Sequence, residues 1–364
     1  HFVLDLQNKQ QGRLALISDE SELVANISPD HWQIEGDYIN FDAIKTLKEE
    51  HNQPLAHNNR KNNSKHSPKK SKKQQVAFLE ELPNLYFNCQ YCFIKGLLLH
   101  DLTIKTQRQP QGLAIEHLSA YNQDFSLQAQ GQWQAANTKT QLWLNDLTIQ
   151  QPQNFLQSLG SEIGIVNGDT KLTGQLSWQD TPLAPALKTL DGQLLMEVAA
   201  GRFTGADAGL GKILGLLNVS RLGQRLRLDF SDISGKGIAF DGIQGHLQFH
   251  QGHLRTDDLI LQSSVMLAGI RGDMDLQRQT INQTLSVIPD VKSSLPIVSA
   301  LFGGLGLGAA VALLDRLTDQ QDKQAQLDDE TVTMRYKITG ALDEPRIEAI
   351  ESTTMDDDLE DLWE

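Results

Sequence analysis

Residues 225–289 constrain the fold more than any other stretch, because apolar and polar side chains alternate there almost without a break. Leu226, Leu228 and Phe230 alternate with Arg225, Arg227 and Asp229, the two-residue period of a sheet with one dry face and one wet face. The pattern continues through Ile238 and Phe240, Leu247 and Phe249, Leu259 and Leu261, Val265 and Leu267, Met274 and Leu276, and Leu285 and Val287. Turn chemistry separates the pairs: Ser234-Gly235-Lys236-Gly237, Asp241-Gly242, Gln251-Gly252 and Arg271-Gly272-Asp273. Strands on such short links pair antiparallel, since a parallel return needs a long crossover. No helical period interrupts the ladder, so nothing within it covers its apolar face.

The chain is long enough for two or three domains, yet only 6% of its residues are aromatic and 28 are glycine. That mix suits a long thin sheet better than a compact globule. A formal charge of −14 argues against a nucleic-acid binder, whose footprint is basic. The opening His1-Phe2-Val3-Leu4-Asp5-Leu6 is already in strand alternation and lacks an initiator Met, as expected of a piece of a longer protein.

Alternation holds from Phe2 to Phe41, through Leu14, Leu16, Val24, Ile27, Trp32, Ile34 and Tyr38. The stretch 45–75 is different. It is rich in Asn, Gln, His and Lys and carries no acid after Glu50, so it buries too little apolar surface to order itself. A solvated insertion between two strands is one reading; contact with anionic head groups is the other. Cys89-Gln90-Tyr91-Cys92 holds the only two cysteines. Zinc would need two further ligands, with only His100 near, and a redox motif would need a βαβ setting. A local disulfide pinning a turn in an oxidising compartment is the better reading for Cys89 and Cys92.

Further strands are expected around 97–104, 113–118, 125–133, 142–149 and 172–178, with a short helix at 154–159 after Pro152. A mid-strand glycine between apolar residues recurs, at Gly36, Gly131, Gly174, Gly192, Gly245, Gly272 and Gly340. Glycine weakens a strand interior, so repeated use points to bulges or bends where a sheet curls. Residues 208–222 read as a short amphipathic helix, with Leu210, Ile213, Leu214 and Leu217 on one face.

Leu295 to Leu314 carries no charge and follows Ser293-Ser294, with Pro296 in a helix-starting position. Twenty helical residues rise about 30 Å, a bilayer's hydrocarbon thickness. Ala300, Gly304, Gly308 and Ala312 form a small-residue stripe. The segment either contacts a membrane, through Leu295, Ile297, Val298, Leu301, Phe302, Leu305, Val311 and Leu314, or is a buried helix capping the sheet. Residues 331–350 return to strand, and 351–364 form an acidic tail.

No catalytic constellation emerges. Gly304-Leu305-Gly306-Leu307-Gly308-Ala309 imitates a dinucleotide fingerprint but has no strand before it or βαβ unit after it. Gly211-Lys212 is followed by Ile213 where a phosphate loop needs Ser or Thr. His246, His250 and His253 are the closest histidines, and they read as a solvated face. No enzyme, cofactor, metal or nucleic acid is expected.

The carboxyl-terminal half carries a family signature. Gly201-Arg202-Phe203, the run Gly211 to Val219, Leu226-x-Leu228-Asp229-Phe230-Ser231-Asp232 and Lys236-Gly237-Ile238-Ala239-Phe240-Asp241 resemble the tail of YhdP-type AsmA-like envelope proteins. So do Gly252-x-x-x-Thr256, Pro289, the glycine-rich segment and Arg335-Tyr336-x-Ile338-Thr339-Gly340-x-x-Asp343-x-Pro345. Upstream, Leu82-Pro83-x-Leu85-Tyr86 and Cys89-x-x-Cys92 match as well, whereas the basic insertion and acidic tail do not.

The resemblance implies a mainly β fold: a long curled antiparallel sheet forming an open apolar groove over residues 1–292, a few short helices, and an apolar glycine-rich helical segment over 293–330. It implies a periplasmic protein of Gram-negative bacteria, anchored in the inner membrane by a segment this chain lacks, with its distal end near the outer membrane. The implied activity is intermembrane phospholipid transport, with phospholipid, both membranes and other envelope proteins as partners. Carrying a lipid of ~30 methylenes through water costs on the order of 25 kcal/mol at ~0.8 kcal/mol each, and a dry trough removes most of that barrier without chemistry. Leu226, Leu228, Phe230, Ile238, Phe240 and Leu247 are the expected lipid contacts on the upstream strands. Phe249, Leu259, Leu261, Val265 and Leu267 continue them. Three alternatives remain: an envelope scaffold with a closed sandwich core, an outer-membrane barrel or adhesin, against which the scattered aromatics speak, and an envelope hydrolase, for which no nucleophile is found.

Overall fold

A computed structural model describes residues 2–8, 11–17, 21–43, 76–77, 79–94, 96–158, 164–204, 238–263, 266–289 and 334–350. The chain is mainly β, built from antiparallel ladders with few short helices, and it divides into two compact units. The first comprises residues 1–148 and 173–190, the second 149–172 and 191–364.

In the first unit, β1 (Phe2–Asn8), β2 (Gln11–Ile17), β3 (Ser21–Ile27) and β4 (His31–Asn40) form an antiparallel meander. The next strand, β5 (Asn84–Ile94), pairs with β4 in parallel, His31 opposite Asn84 and Asn40 opposite Phe93. This single parallel pair among the described ladders gives the basic insertion a topological role. Two parallel neighbours cannot be joined by a tight turn, and residues 41–83 supply the long connection. β6 (Leu97–Gln109), β7 (Gly112–Tyr121) and β8 (Phe125–Gln134) continue antiparallel. Asn122 caps the β7–β8 turn, its Oδ1 accepting the backbone N–H groups of Asp124 and Phe125 at 2.9 Å each. β9 (Lys139–Ile149) and β11 (Thr170–Gln179) follow in sequence, separated by helix α1 (Pro152–Ser158) and β10 (Gly164–Asn167). The expected helix at 154–159 thus begins two residues earlier, on its proline.

The second unit holds the ladder. Its strands are β12 (Asp191–Val198), β15 (Gly242–His250), β16 (His253–Gln262), β17 (Met266–Asp275), β18 (Thr280–Pro289), β19 (Met334–Ala341) and β20 (Pro345–Ile350), each antiparallel to the next. Gln251-Gly252 turns β15 into β16 as expected: both residues have positive φ (48° and 87°), the two-residue hairpin whose twist matches its strands. Arg271-Gly272-Asp273 is not a turn but lies within β17, and the chain reverses instead at 276–279. The physical reason is Gly272, which uses its freedom at φ +132° in mid-strand, where a Cβ would collide with the carbonyl oxygen of Asn282. A second, three-stranded sheet pairs β13 (Gly201–Thr204) with both β10 and β14 (Ile238–Phe240).

The expected helices at 208–222 and 295–314, the strand at 225–230 and the acidic tail lie outside the described residues. Among the described residues, no helix is long and apolar enough to cross a membrane.

Candidate functional site: the apolar face of the second unit

Strand register decides which residues share a face. One cross-strand row runs Val198, Ile243, Leu261, Ala268, Val287, Met334. A second runs Leu259, Ile270, Leu285, Tyr336, and a third Phe249, Leu254, Met274, Ile281. Leu247 stands opposite Leu194 on the same side. The reverse side carries Gln244, His246, Gln248, Arg255, Asp273, Thr284 and Lys337. One face of the ladder is therefore apolar from β12 to β20, while the other is largely polar but also carries the buried Ile260 and Leu267.

A bulge in β16 keeps that face continuous. Thr256 pairs with Gly272 and Leu259 with Ile270, so three steps on β16 match two on β17. The extra residue puts Thr256 and Leu259 on one side despite their odd spacing. Gly245 on β15 makes room for it: a Cβ there would lie 2.6 Å from the Leu259 Cα and 2.8 Å from the Asp258 carbonyl oxygen. Asp258 repairs the ladder bond lost at the bulge, its Oδ1 accepting the His246 backbone N–H at 2.7 Å while Oδ2 meets His246 Nδ1 at 2.6 Å. On the wet side Arg255 bridges Asp257 and Asp273. Hydrogen bonding to Asp257, then the charges of Asp257 and Asp273, raise its already high pKa.

The dry face differs along its length. Phe240, Leu261, Met266, Ala268, Leu285 and Val287 form a buried cluster, and Ile165 and Phe203 of the small sheet pack on it. The Phe203 and Phe240 rings lie 4.9 Å apart. Further along the strands, Leu247, Phe249, Leu254 and Leu259 are only half-buried.

The expected lipid contacts therefore separate into groups. Leu247, Phe249, Leu259 and Leu261 share the dry face. Phe240 belongs to the packed cluster rather than to open lining. Leu267 is corrected: paired with Gln262 and Ile288, it points to the side opposite Ala268. The register, Gln262 opposite Leu267 and Leu261 opposite Ala268, reverses the parity that alternation alone suggests. Ile238 belongs to β14 by its backbone. Leu226, Leu228, Phe230 and Val265 lie outside the described residues, as do Leu295, Ile297, Val298, Leu301, Phe302, Leu305, Val311 and Leu314. Sequence reasoning missed Leu194, Ile270, Leu285 and Ile338 on the same face, because alternation reveals that a strand has two sides but not which side a distant strand shares.

No group of three or more His, Cys, Asp or Glu placed to hold a metal occurs among the described residues. His246 and His250 are instead paired with Asp258 and Asp191, at 2.6 and 2.8 Å.

A family model described as YhdP protein matches residues 1–347. The chain belongs to the YhdP family. Within it, the Escherichia coli (strain K12) protein named intermembrane phospholipid transporter YhdP is 26% identical over 227 residues, which is 62% of this chain and 17% of that relative. This YhdP-family chain thus spans about a sixth of the relative's length. No solved structure matches it.

Proposed function

We propose that this chain forms the distal part of a hydrophobic path carrying phospholipid between the inner and outer membranes, anchored to the inner membrane through another part of the protein. The observation that carries the reading is the dry face of the second unit, apolar on seven successive strands, while its reverse is largely polar apart from Ile260 and Leu267. A sheet face of that extent exposed to water is unstable unless something covers it. The half-buried stretch around Leu247, Phe249, Leu254 and Leu259 is where acyl chains would lie, and each buried methylene is worth ~0.8 kcal/mol to the lipid. The activity needs no catalytic group, which accords with a family whose E. coli member is named as a transporter. The apolar segment 295–314 would meet the membrane at the end of the path.

The packed cluster around Phe240 favours a second reading, a closed core serving an envelope scaffold. Photocrosslinking separates the two. A benzophenone side chain at Leu247 or Phe249 of the full-length protein in cells should capture phospholipid, while one at Phe240 should capture protein. Only protein adducts at all three positions would overturn the transport reading. Leu247→Asp should block lipid delivery with folding intact.

A further inference from the structure

The wet face of the first unit carries an aromatic row that the lipid reading does not use. Register aligns Tyr38 with Tyr91, Tyr91 with His100, and His100 with Tyr121, across β4, β5, β6 and β7. The Tyr91 and His100 rings lie 5.2 Å apart in an edge arrangement, and those of His100 and Tyr121 5.4 Å apart. Tyr38, Tyr91 and Tyr121 are 36%, 41% and 45% exposed, so the row is presented to solvent rather than packed. At about 4.8 Å between strands, it extends roughly 14 Å.

Beside it runs a parallel row of hydrogen-bonding groups, Glu35, Asn88, Thr103 and Ser119, matched by register across the same strands. Asn88 Nδ2 donates to Thr103 Oγ1 at 2.9 Å, and Ser119 Oγ lies 3.0 Å from His117 Nε2. The Tyr121 hydroxyl donates to Asp101 Oδ2 at 3.0 Å, tying the end ring in place. Asp101 itself has φ +46° and sits in a β6 bulge, His100 pairing with Tyr121 and Thr103 with Ser119.

From this juxtaposition of an exposed aromatic row and an adjacent amide, hydroxyl and carboxylate row, we infer that the wet face of the first unit binds a neutral glycan chain. A sugar ring offers a C–H face, drawn to the electron-rich face of an aromatic ring, and equatorial hydroxyls that need donors and acceptors at its edge. The two rows provide both at once, and 14 Å accommodates a short oligosaccharide. Charge selects this occupant over an anionic bilayer surface, the other common partner of exposed tyrosines. Carboxylates of Glu22, Glu35, Asp37 and Asp101 flank the rows, and the nearby Lys105 is occupied by Glu116 at 2.7 Å. Such a surface repels anionic head groups while carboxylates accept sugar hydroxyls.

The test titrates the intact chain with chitotetraose and with cellotetraose, following saturation-transfer NMR, and floats it with phosphatidylethanolamine–phosphatidylglycerol vesicles. Saturable binding to at least one oligosaccharide is expected, weakened about tenfold by Tyr91→Ala or Tyr121→Ala and preserved by Tyr91→Phe, which keeps the ring. Circular dichroism and the Cys89–Cys92 disulfide report that the variants remain folded. The inference is overturned if neither oligosaccharide binds, or if the alanine variants bind as well as the parent. Tyrosine-dependent flotation with vesicles in place of glycan binding would overturn it in favour of a membrane contact.

Discussion

Cys89 and Cys92, three residues apart in β5, form a disulfide with their Cα atoms 5.8 Å apart and both side chains fully buried on one side of the strand. A regular strand would separate them by about 10 Å and point them to opposite faces. Gln90 and Tyr91 between them are both exposed, so the chain bows outward there. The neighbouring strands bow at the same level. β4 shifts register against β3 between Gly36 and Tyr38, and β6 shifts against β7 between His100 and Thr103. The disulfide thus staples one member of a line of irregularities crossing three strands.

Replacing both cysteines by alanine should lower unfolding free energy by about 2 kcal/mol. The closed loop is very short, so the chain-entropy contribution falls at the low end. Urea denaturation of the oxidised parent against the double variant measures it. Because Tyr91 sits inside the staple, the variant should also lose definition at the exposed ring, visible as averaged Tyr91 and His100 NMR signals.

Gly245→Ala should cost about 2 kcal/mol, since the new methyl meets backbone atoms of the β16 bulge that cannot swing away. Gly272→Ala should cost at least as much, because φ +132° adds conformational strain to the collision with Asn282. Thermal denaturation of the two variants is the measurement.

Asp258→Ala should destabilise the second unit by about 1–3 kcal/mol, by stranding the His246 N–H that the bulge leaves without a ladder partner. Amide hydrogen exchange at His246 should accelerate more than at Gln248, which keeps its pairing with Arg255.

Leu285→Ala, at a fully buried position, should cost about 3 kcal/mol through lost burial and a residual cavity. Leu247→Ala, half-buried on the same face, should cost clearly less. Equal losses in urea denaturation would mean that the two ends of the face are packed alike.

Acid should weaken the β17–β18 turn through Asp275. The Arg278 backbone N–H foremost, and that of Gln277 as well, each 2.9 Å from Oδ1, hold this carboxyl below the ordinary carboxylate range. A depressed folded-state pKa means stabilisation that is complete above the unfolded value of about 3.9 and disappears as pH falls through the folded one. The parent should therefore lose more stability than Asp275→Ala between neutral pH and pH ~2.5, as read by urea midpoints.

Local chemistry was legible where it acts locally. Gln251-Gly252 announced its hairpin because both residues tolerate positive φ, and Pro152 marked the start of α1. Arg271-Gly272-Asp273 has the composition of a turn yet lies in mid-strand, since only the opposed Asn282 and the neighbouring bulge reveal why a glycine is needed there. The separation of wet from dry residues in the ladder was visible in single strands. The membership of Leu285 and Ile338 in the same face, the reversal of Leu267 and the alignment of Tyr38, Tyr91 and Tyr121 were not, because register is fixed by partners far away in the chain. The three-residue separation of Cys89 and Cys92 suggests a disulfide across a turn, whereas the bowed strand β5 accommodates it instead.

The extra residue in β16 has a consequence for tolerance to deletion. Leu254 and Thr256 stand at even positions and Leu259 and Leu261 at odd ones, and only the unpaired residue between them reconciles the two parities. Removing Asp257 alone would leave Thr256 and Leu259 two steps apart, matching the two steps from Gly272 to Ile270, so a regular strand would keep both hydrocarbon pairs on the oily side. A shortening by one residue at that point would thus straighten the strand without dividing the oily surface.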